Sequence, residues 1–336
     1  MTTDNLPLVT FLLLCYNQQN YIAEALAGAL AQDYGNLEIM IADDASQDDT
    51  VNTINAVLED YTGRHRIKRL FNQRNLGIGG NIDQAVRQSN GQLIFIAGGD
   101  DVSLPHRVSR VVEFWLAENK RPDLIGAYLF DMDQSGGMHG TIQIAHLELY
   151  RTLDDWSRSP PHVIGAAQAW SRRLFDRFDG LPRHVVGEDM VMAFRAIGTS
   201  SAYTLAEPLV KYRRGGLTSK RKALTAADVV RGLTKKLVST RVELKCMQKD
   251  ASLLGASPFT MQTLEHKLAK EDFIAAMFSA SSLVRKMQCC FQFPQVSAEY
   301  RLRILTYASA PWLLAPFFFF KRLRYQHRLN NDRIEL

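Results

Sequence analysis

Cysteine is scarce in this sequence, and the motifs of several common enzyme classes are missing. The 336 residues include four cysteines, which show no Cys-x-x-Cys spacing and no Cys/His cluster: Cys15, Cys246, Cys289 and Cys290. This usage argues against a structural zinc site and favours a reducing compartment without disulfides. Neither Gly-x-Gly-x-x-Gly nor Gly-x-x-x-x-Gly-Lys-Ser/Thr occurs. A dinucleotide-binding fold and P-loop phosphotransfer are therefore disfavoured.

The beginning of the chain also lacks the pattern of a secretory signal. Its first apolar run, Val9–Cys15, is too short to span a bilayer and follows an acidic rather than a basic start. We therefore expect a cytoplasmic protein. The length exceeds that of a usual single domain, so we predict one large domain, residues 1–220, and an appendage, residues 221–336.

Charge is distributed unevenly between these parts. Residues 211–336 hold 23 Lys and Arg against 9 Asp and Glu, whereas residues 1–210 hold 17 against 26. An acidic first part and a strongly basic second part indicate two regions that face different partners. Nucleic acid and an anionic membrane surface both suit the basic part.

Apolar strands alternate with helical patterns over the first hundred residues. The predicted strands are Val9–Cys15, Leu37–Ala42, Ile67–Phe71 and Leu93–Ala97, and the predicted helices are Ile22–Ala31, Val51–Leu58 and Ile82–Ser89. This order predicts an α/β fold with a mostly parallel sheet flanked by helices. Two further strands are predicted downstream, at Ile125–Asp131 and Ala202–Arg213.

Three of these strands end in polar residues: Tyr16-Asn17, Asp43-Asp44 and Asp100-Asp101. Ligands of open α/β sheets bind beyond the carboxyl ends of the strands. Adjacent carboxylates there need a cation or hydrogen-bond donors. Taken alone, Asp100-Asp101 fits either a metal site or a solvated turn before the helix that Pro105 opens. Two acidic ends at one edge indicate a pocket for a hydroxyl-rich, cation-bridged ligand such as a nucleotide diphosphate.

The motifs from residue 8 to residue 105 resemble those of family 2 glycosyltransferases with the GT-A fold, of the type that assembles bacterial cell-surface polysaccharides. The motifs are Tyr16-Asn17 with Tyr21 and Glu24, Gln32-Asp33-Tyr34 with Glu38-Ile39, Asp43-Asp44-Ala45-Ser46 with Asp49-Thr50, Asn75-Leu76-Gly77, and Asp100-Asp101 with Pro105. The resemblance implies a nucleotide-binding GT-A sheet, followed here by a basic helical extension.

The resemblance also implies the roles of particular residues. Asp43 and Asp44 resemble the acidic pair that contacts the base and ribose of a nucleotide-sugar donor. Asp100 and Asp101 match the end of the motif that holds Mg²⁺ or Mn²⁺ on the donor diphosphate, and Asp101 is the favoured ligand. Gly98 replaces the first Asp of that motif. The donor-binding set implied is Cys15, Tyr16, Asn17, Asp43, Asp44, Asn75, Gly77, Asp100, Arg213 and Arg214.

Besides Gly98, two further sites depart from the family pattern. Cys15 stands where many members have Pro. Gly215-Gly216 stands where the family often has a His that assists metal or diphosphate binding. Arg213 and Arg214, with the flexible backbone amides beside them, either cradle the diphosphate or belong to a basic linker.

Glu188 and Asp189 open an amphipathic helix. Acidic residues in a first turn are favoured by the helix dipole alone. They also match the family's Glu-Asp motif, which implies that one carboxylate is the general base for the acceptor hydroxyl. We favour Asp189, with Glu188 second.

The segment Ile164–Trp170 resembles the family's floor between donor and acceptor. Trp170 either stacks on the acceptor sugar or belongs to the core. Asp131-Met132-Asp133 also spells Asp-x-Asp, but it precedes Ser135-Gly136-Gly137, so we predict a surface hairpin.

The basic tail is helical in pattern. Thr306–Phe320 is uncharged, contains two prolines and is followed by Lys321-Arg322-Leu323-Arg324. This pattern fits insertion of the uncharged stretch into a membrane interface, with the basic residues that follow it at the lipid headgroups. A buried core or oligomer helix is the alternative. Membrane contact would place the chain on the inner face of the cytoplasmic membrane, with a lipid-linked glycan as acceptor.

The sequence thus predicts an inverting, metal-dependent glycosyltransferase with a nucleotide-sugar donor. We expect no nucleic acid partner, and oligomerisation stays open. One alternative is a sugar-nucleotide nucleotidyltransferase, although the first strand leads into Tyr-Asn rather than a Gly-rich loop with Arg and Lys. Another is a non-catalytic nucleotide-sugar-binding protein, against which Asp101, Glu188 and Asp189 argue.

Overall fold

The structure, a computed structural model, describes residues 6–215 and 224–332. The strands in these ranges are β1 Val9–Cys15, β2 Leu37–Asp43, β3 Arg66–Phe71, β4 Leu93–Gly98, β5 Val102–Ser103, β6 Leu124–Met132, β7 Met138–Ile142, β8 Gln168–Ser171 and β9 Ala202–Arg213. They form one sheet in the order β3-β2-β1-β4-β8-β6-β9-β5, with β7 paired to β6.

Helices connect and follow these strands. They are α1 Ile22–Leu30, α2 Thr50–Glu59, α3 Gly77–Arg87, α4 Arg107–Ala117, α5 Leu153–Arg158, α6 Arg172–Arg177, α7 Glu188–Gly198, α8 Ala226–Lys235, α9 Leu237–Leu253, α10 Pro258–Ser279, α11 Leu283–Gln292, α12 Ala298–Ser309 and α13 Ala315–Asp332. Short 3₁₀ helices cover Leu147–Leu149, Gly165–Ala167 and Pro311–Leu314.

The first four long strands run parallel to one another, whereas β8 runs antiparallel to both of its neighbours. Strands β1 and β2 are buried along almost their whole length, as expected of parallel strands covered by helices on both faces. The predicted α/β fold with a mostly parallel sheet flanked by helices is confirmed, and helices dominate the C-terminal region.

The register brings the ends of three strands side by side. Cys15 of β1 pairs with Asp43 of β2, and Leu14 pairs with Gly98 of β4. The residues that follow these strands therefore emerge at one edge of the sheet, where the predicted site lies.

Helix α3 begins earlier than its sequence predicts. Its first residue is Gly77 rather than Ile82, although glycine is a poor helix former. The Asp44 carboxylate accepts the backbone N–H groups of Leu76 and Gly77 at 2.7 and 2.8 Å. A side chain distant in sequence thus satisfies donors that an isolated helix end leaves unpaired.

The hairpin predicted around Asp133 is confirmed. Strands β6 and β7 pair antiparallel, and Asp133 accepts the N–H groups of Ser135 and Gly137, each at 2.9 Å. This Asp-x-Asp sequence therefore builds a turn.

The chain divides into two compact units, Met1–Ser219 with Cys246–Met261, and Lys220–Lys245 with Gln262–Leu336. The division differs from a single break after residue 220, because the segment Cys246–Met261 belongs to the first unit. The second unit has a buried cluster of its own, formed by Ala269, Phe273, Met277, Cys289, Val296 and Ile304.

None of the helices described is by itself long and apolar enough to cross a membrane. Two consecutive helical segments, Ala298–Ser309 and Pro311–Arg324, are together long and apolar enough to do so by length and composition alone, with a bend of 111° between them.

Candidate active site

The loop after β1 is tied to the loop after β2. The backbone N–H of Asn17 donates to Ser46 Oγ at 2.9 Å, and Asn17 Oδ1 accepts the N–H of Gln47 at 2.8 Å. Asn17 has a φ of 52°, a left-handed conformation that asparagine tolerates well. The ring of Tyr16, in the loop after β1, is 41% exposed.

Cys15, the last residue of β1, lies below these two loops, and its side chain does not reach the surface. Its side chain is buried, and Sγ donates to the Ala42 carbonyl at 3.6 Å. Burial, together with the nearby Asp43 charge, raises the pKa of the thiol well above its ordinary value. The prediction of Cys15 as a donor contact is therefore wrong for its side chain, which is an inert core group.

Asp43 is the last residue of β2 and Asp44 follows it, and their carboxylates bond different partners. Asp43 accepts the backbone N–H and the hydroxyl of Ser46, at 2.9 and 2.5 Å. Asp44, besides holding the start of α3, accepts Asn72 Nδ2 at 3.1 Å. Both carboxylates are buried, so the structure gives each a structural task beside the donor contact that the resemblance implies.

Asn75 and Gly77 lie directly over Asp44. Asn75 Nδ2 donates to the Asp44 carbonyl at 3.3 Å, and Asn75 Oδ1 accepts the Gly77 N–H at 3.0 Å. Gly77 has a φ of +76°, which an L side chain rarely adopts. These contacts place the predicted donor-binding residues Asp44, Asn75 and Gly77 next to one another.

Asp100 and Asp101 follow β4, and Asp101 is only 6% exposed. Burial raises the pKa of both carboxyl groups, and for Asp101 the charge of Asp100 raises it further, to about 8. Asp101 Oδ1 accepts the backbone N–H of Arg213 at 2.8 Å. Two adjacent, largely buried carboxylates are costly for the fold unless a cation accompanies them.

Gly98 makes room for this pair. A Cβ on residue 98 would lie 3.0 Å from Asp100 Oδ1 and 3.1 Å from Asp101 Oδ2, so both oxygens converge on one small space. Carboxylate oxygens are the preferred ligands of Mg²⁺. Within the described residues, no group of three or more His, Cys, Asp or Glu side chains is placed to hold a metal. Asp100 and Asp101 are thus the residues at this edge of the sheet whose oxygens could hold a cation.

Arg107 is a site residue that the sequence reasoning missed. It is fully buried at the start of α4 and donates to Ser103 Oγ, to the Ile96 carbonyl and to the Gln168 carbonyl, at 2.8 to 3.2 Å. Burial lowers its pKa to about 9, while the Asp101 charge opposes that change. The sequence did contain a signal of its burial, because residue 107 lies one turn before Val111 on the apolar face of the helix.

Glu188 and Asp189 form the first turn of α7 and are half-buried. The Asp189 carbonyl accepts Gln168 Nε2 at 3.3 Å, and the Gln168 carbonyl accepts Arg107, whose charge acts on Asp101. Two hydrogen bonds, from Gln168 and from Arg107, thus connect the backbone of the α7 turn with a buried guanidinium whose charge acts on Asp101.

Gly165 provides the space in front of α7. A Cβ at this position would come within 2.7 Å of Glu188 Oε1 and 3.3 Å of the Asp189 Cβ. The segment predicted to form the floor of the site therefore does pack against the acidic turn.

Trp170 does not line this site. It is fully buried in β8, and its Nε1 donates to Gln168 Oε1 at 2.8 Å. The prediction that it binds the acceptor is wrong, because no face of a fully buried ring is available to a sugar.

Arg213 and Arg214 also have partners within the protein. Arg213 is buried, stacks on Tyr21 and donates to Glu24 and to the backbone carbonyls of Asp100, Asp133 and Gln134. It braces the Asp100-Asp101 turn, which corrects its predicted role as a diphosphate ligand. Arg214 forms a half-exposed ion pair with Asp131. Gly216, the second glycine predicted to assist there, lies outside the described residues.

A family model decides the affiliation of this chain. The model described as "Glycosyl transferase family 2" matches residues 10–178, which include β1 to β4, the acidic strand ends and Gly165. The chain belongs to glycosyl transferase family 2.

Relatives of this family-2 chain come from bacteria. EpsE of Bacillus subtilis (strain 168), a protein named as a glycosyltransferase, is 28% identical over 130 residues, 39% of this chain and 46% of that protein. The succinoglycan biosynthesis protein ExoO of Rhizobium meliloti (strain 1021) is 30% identical over 126 residues, 38% of this chain and 33% of that protein. The matched region thus spans less than half of these relatives.

Solved structures share the fold. TarS 1–349 of S. aureus in complex with UDP-GlcNAc aligns with a TM-score of 0.53 at 15% identity, covering 89% of this chain and 91% of that one. The mannosyltransferase PcManGT of Pyrobaculum calidifontis, in complex with GDP-Man and Mn²⁺, aligns with a TM-score of 0.50 at 17% identity, covering 93% and 88%. At these identities the likeness supports the GT-A fold.

Proposed function

We propose that this family-2 chain transfers a sugar from a nucleotide-sugar donor to a glycan acceptor, with inversion and with the help of Mg²⁺ or Mn²⁺. The observation that carries the proposal is the pair of acidic motifs, Asp100-Asp101 after β4 and Glu188-Asp189 at the start of α7, the second of which is bonded to β8, the strand next to β4. The family membership supports the donor class, and the complexes of TarS with UDP-GlcNAc and of PcManGT with GDP-Man agree with it.

The donor lies, in this proposal, beyond the ends of β1, β2 and β4. Tyr16 offers an exposed ring for a base, and Asp43 and Asp44 hold the loops that shape the pocket. Asp101, with Asp100, would hold the cation, which when bound offsets negative charge on the departing diphosphate. Arg213 bonds the Asp101 carboxylate and the Asp100 carbonyl, and the buried charge of Arg107 favours the ionised form of Asp101.

The acceptor is activated by Asp189. A sugar hydroxyl is a weak nucleophile, so a carboxylate must accept its proton while the new bond forms. Gly165 leaves space beside the carboxylates of α7, and the N-terminus of the helix stabilises their negative charge. One base and one leaving group on opposite sides of the anomeric carbon produce a single displacement, and therefore inversion.

The base is tested by Asp189→Asn, which keeps the shape and removes the proton acceptor. With UDP-, GDP- and dTDP-sugars as a panel of donors, we expect transfer, including transfer to water, to fall by about 10²–10⁴-fold. Stabilisation by the donor should persist. Glu188→Gln is the matched comparison and should retain more activity. Full activity of Asp189→Asn would refute the base assignment, and a product of retained configuration would refute inversion.

The metal site is tested by Asp101→Asn, with Asp133→Asn in the Asp131-Met132-Asp133 turn as its control. Ligands that bind the native state raise its unfolding temperature. We expect Mn²⁺ added with UDP or GDP to raise that temperature in the parent and in Asp133→Asn but not in Asp101→Asn. An unchanged response of Asp101→Asn would contradict the assignment.

We propose further that the acceptor is a lipid-linked glycan of cell-surface polysaccharide synthesis. The name of ExoO connects a relative with succinoglycan biosynthesis, and the basic, aromatic C-terminal region suits a substrate at a membrane. Transfer to lipid-extracted acceptors, compared with soluble oligosaccharides, tests this point, and equal transfer to both would contradict it.

A further inference from the structure

Large apolar side chains are exposed together at the end of the second unit. Six of them, between 47% and 67% exposed, form what we call the terminal apolar patch: Trp312, Leu313, Phe317, Phe319, Phe320 and Leu323. Monomeric soluble proteins rarely expose large contiguous apolar surfaces, and those that occur mark interaction sites.

The patch is anchored to a folded core. Ile304 of α12 belongs to the buried cluster of the second unit, and the 3₁₀ helix Pro311–Leu314 contacts both α12 and α8. Phe318, in the middle of the aromatic run, is only 3% exposed. The neighbours of Phe318 therefore point outward from a supported segment.

Positive charge surrounds the patch in sequence. Residues 281–324 contain seven Lys and Arg and a single acidic residue, Glu299. Arg322 and Arg324 are exposed within one turn of Phe320. Exposed Trp, Phe and Leu beside Lys and Arg form the pattern of protein segments that lie in the interface of an anionic bilayer.

We propose that the terminal apolar patch inserts into the interfacial region of an anionic lipid bilayer. This deepens the proposed function, on which it rests only for the acceptor, because it would hold the chain at the inner face of the cytoplasmic membrane beside a lipid-borne glycan. A transmembrane path is disfavoured, since α12 already packs Ile304 in the core. A second copy of the chain suits the patch less well, because pairing would oppose two positively charged surfaces.

The test is sedimentation of the full chain with vesicles of phosphatidylcholine, with or without phosphatidylglycerol. We expect strong binding only to vesicles that contain phosphatidylglycerol, and weaker binding as salt rises. Phe317→Ser/Phe320→Ser should weaken binding at least about tenfold through lost apolar burial. Leu149→Ser/Val238→Ser removes exposed apolar residues outside the patch and should leave binding unchanged.

The charge contribution is tested by a matched pair of variants. Arg322→Glu/Arg324→Glu and Lys245→Glu/Lys249→Glu change the net charge equally, and we expect only the first to weaken binding, by about tenfold or more. Equal effects of the two pairs would overturn the proposal. The proposal would also be overturned if the parent did not bind vesicles but self-associated with rising concentration, and if Phe317→Ser/Phe320→Ser abolished that self-association.

The vesicle readout is independent of catalysis. Stabilisation by UDP or GDP with Mn²⁺ is measured on the same variants and should be unchanged in all of them. Loss of vesicle binding with retained nucleotide binding, or the reverse, therefore shows which of the two proposals fails.

Discussion

At the scale of single residues, one residue type performs several tasks in this chain. Asp44 holds the start of α3, Asp133 builds a turn, and Asp101 is buried beside a second carboxylate. Asp101 and Asp133 each lie close to a second Asp in the sequence, but the donors available to each carboxylate differ. Burial and hydrogen-bond supply, rather than residue identity, separate a turn residue from a candidate metal ligand.

Glu38 shows a residue-scale effect that depends on pH. Burial by itself would raise its pKa, but the N–H of Asn90, the hydroxyl of Thr10 and Lys68 together lower the pKa below the ordinary 4.5. Folding therefore favours the ionised form. Its contribution to stability is present above about pH 4.5 and is lost as the pH falls through the lowered value.

We predict that Glu38→Gln lowers the free energy of unfolding by about 1–3 kcal/mol at pH 7. The difference from the parent should shrink as the pH falls below about 4.5. Urea unfolding at several pH values measures both effects. Glu113→Gln, which alters an exposed ion pair, should change little, and a pH-independent loss in Glu38→Gln would contradict the explanation.

At the scale of elements, α7 is held at the end opposite its acidic first turn. Arg195, nearly fully buried, donates to Asp250 of α9 at 2.7 Å and to the Gly180 carbonyl at 2.8 Å, and it stacks on Phe178. The ion pair fastens the helix that carries Glu188 and Asp189. It also explains why residues 246–261 belong to the first unit.

We predict that Asp250→Leu costs about 3–5 kcal/mol, because it leaves a buried guanidinium without its counter-charge. The double variant Arg195→Met/Asp250→Leu should recover part of that loss. Denaturant unfolding measures both. Asp179→Asn, which removes the charge of the exposed partner of Arg87 and tolerates the left-handed backbone at φ 54°, is the control and should cost no more than about 1 kcal/mol. A similar loss in control and test variant would disprove the role of burial.

At the scale of the whole molecule, the chain consists of two compact units with separate buried clusters. Proteins with more than one unit commonly depart from two-state unfolding. A ligand stabilises the part of the molecule to which it binds, and the proposed donor site lies in the first unit.

Calorimetry should therefore resolve more than one thermal transition. UDP or GDP with Mn²⁺ should raise the midpoint of one transition and leave another in place. A single transition that shifts as a whole on nucleotide addition would contradict this prediction.

Much of the fold could be predicted because its signals are local. The apolar runs of β1, β2 and β4 identify buried parallel strands, and the polar residues that end them indicate the edge of the sheet where a site lies. The sequence predicts helix α3 from Ile82, and the carboxylate of Asp44 supports an earlier start at Gly77. Such a contact spans more than thirty residues of sequence, and local patterns do not reveal it.

The α/β fold, the acidic motifs and the basic, aromatic tail follow from residue type and spacing alone. Which of the polar residues face the site depends on the packing of the folded chain. In the folded chain Cys15 and Trp170 are buried in the core, and the backbone of Arg213 donates to Asp101. Arg107, which the sequence did not suggest as a site residue, is buried near Asp101. Burial and hydrogen-bond partners depend on how distant segments pack, and the spacing of residues along the chain does not specify that packing.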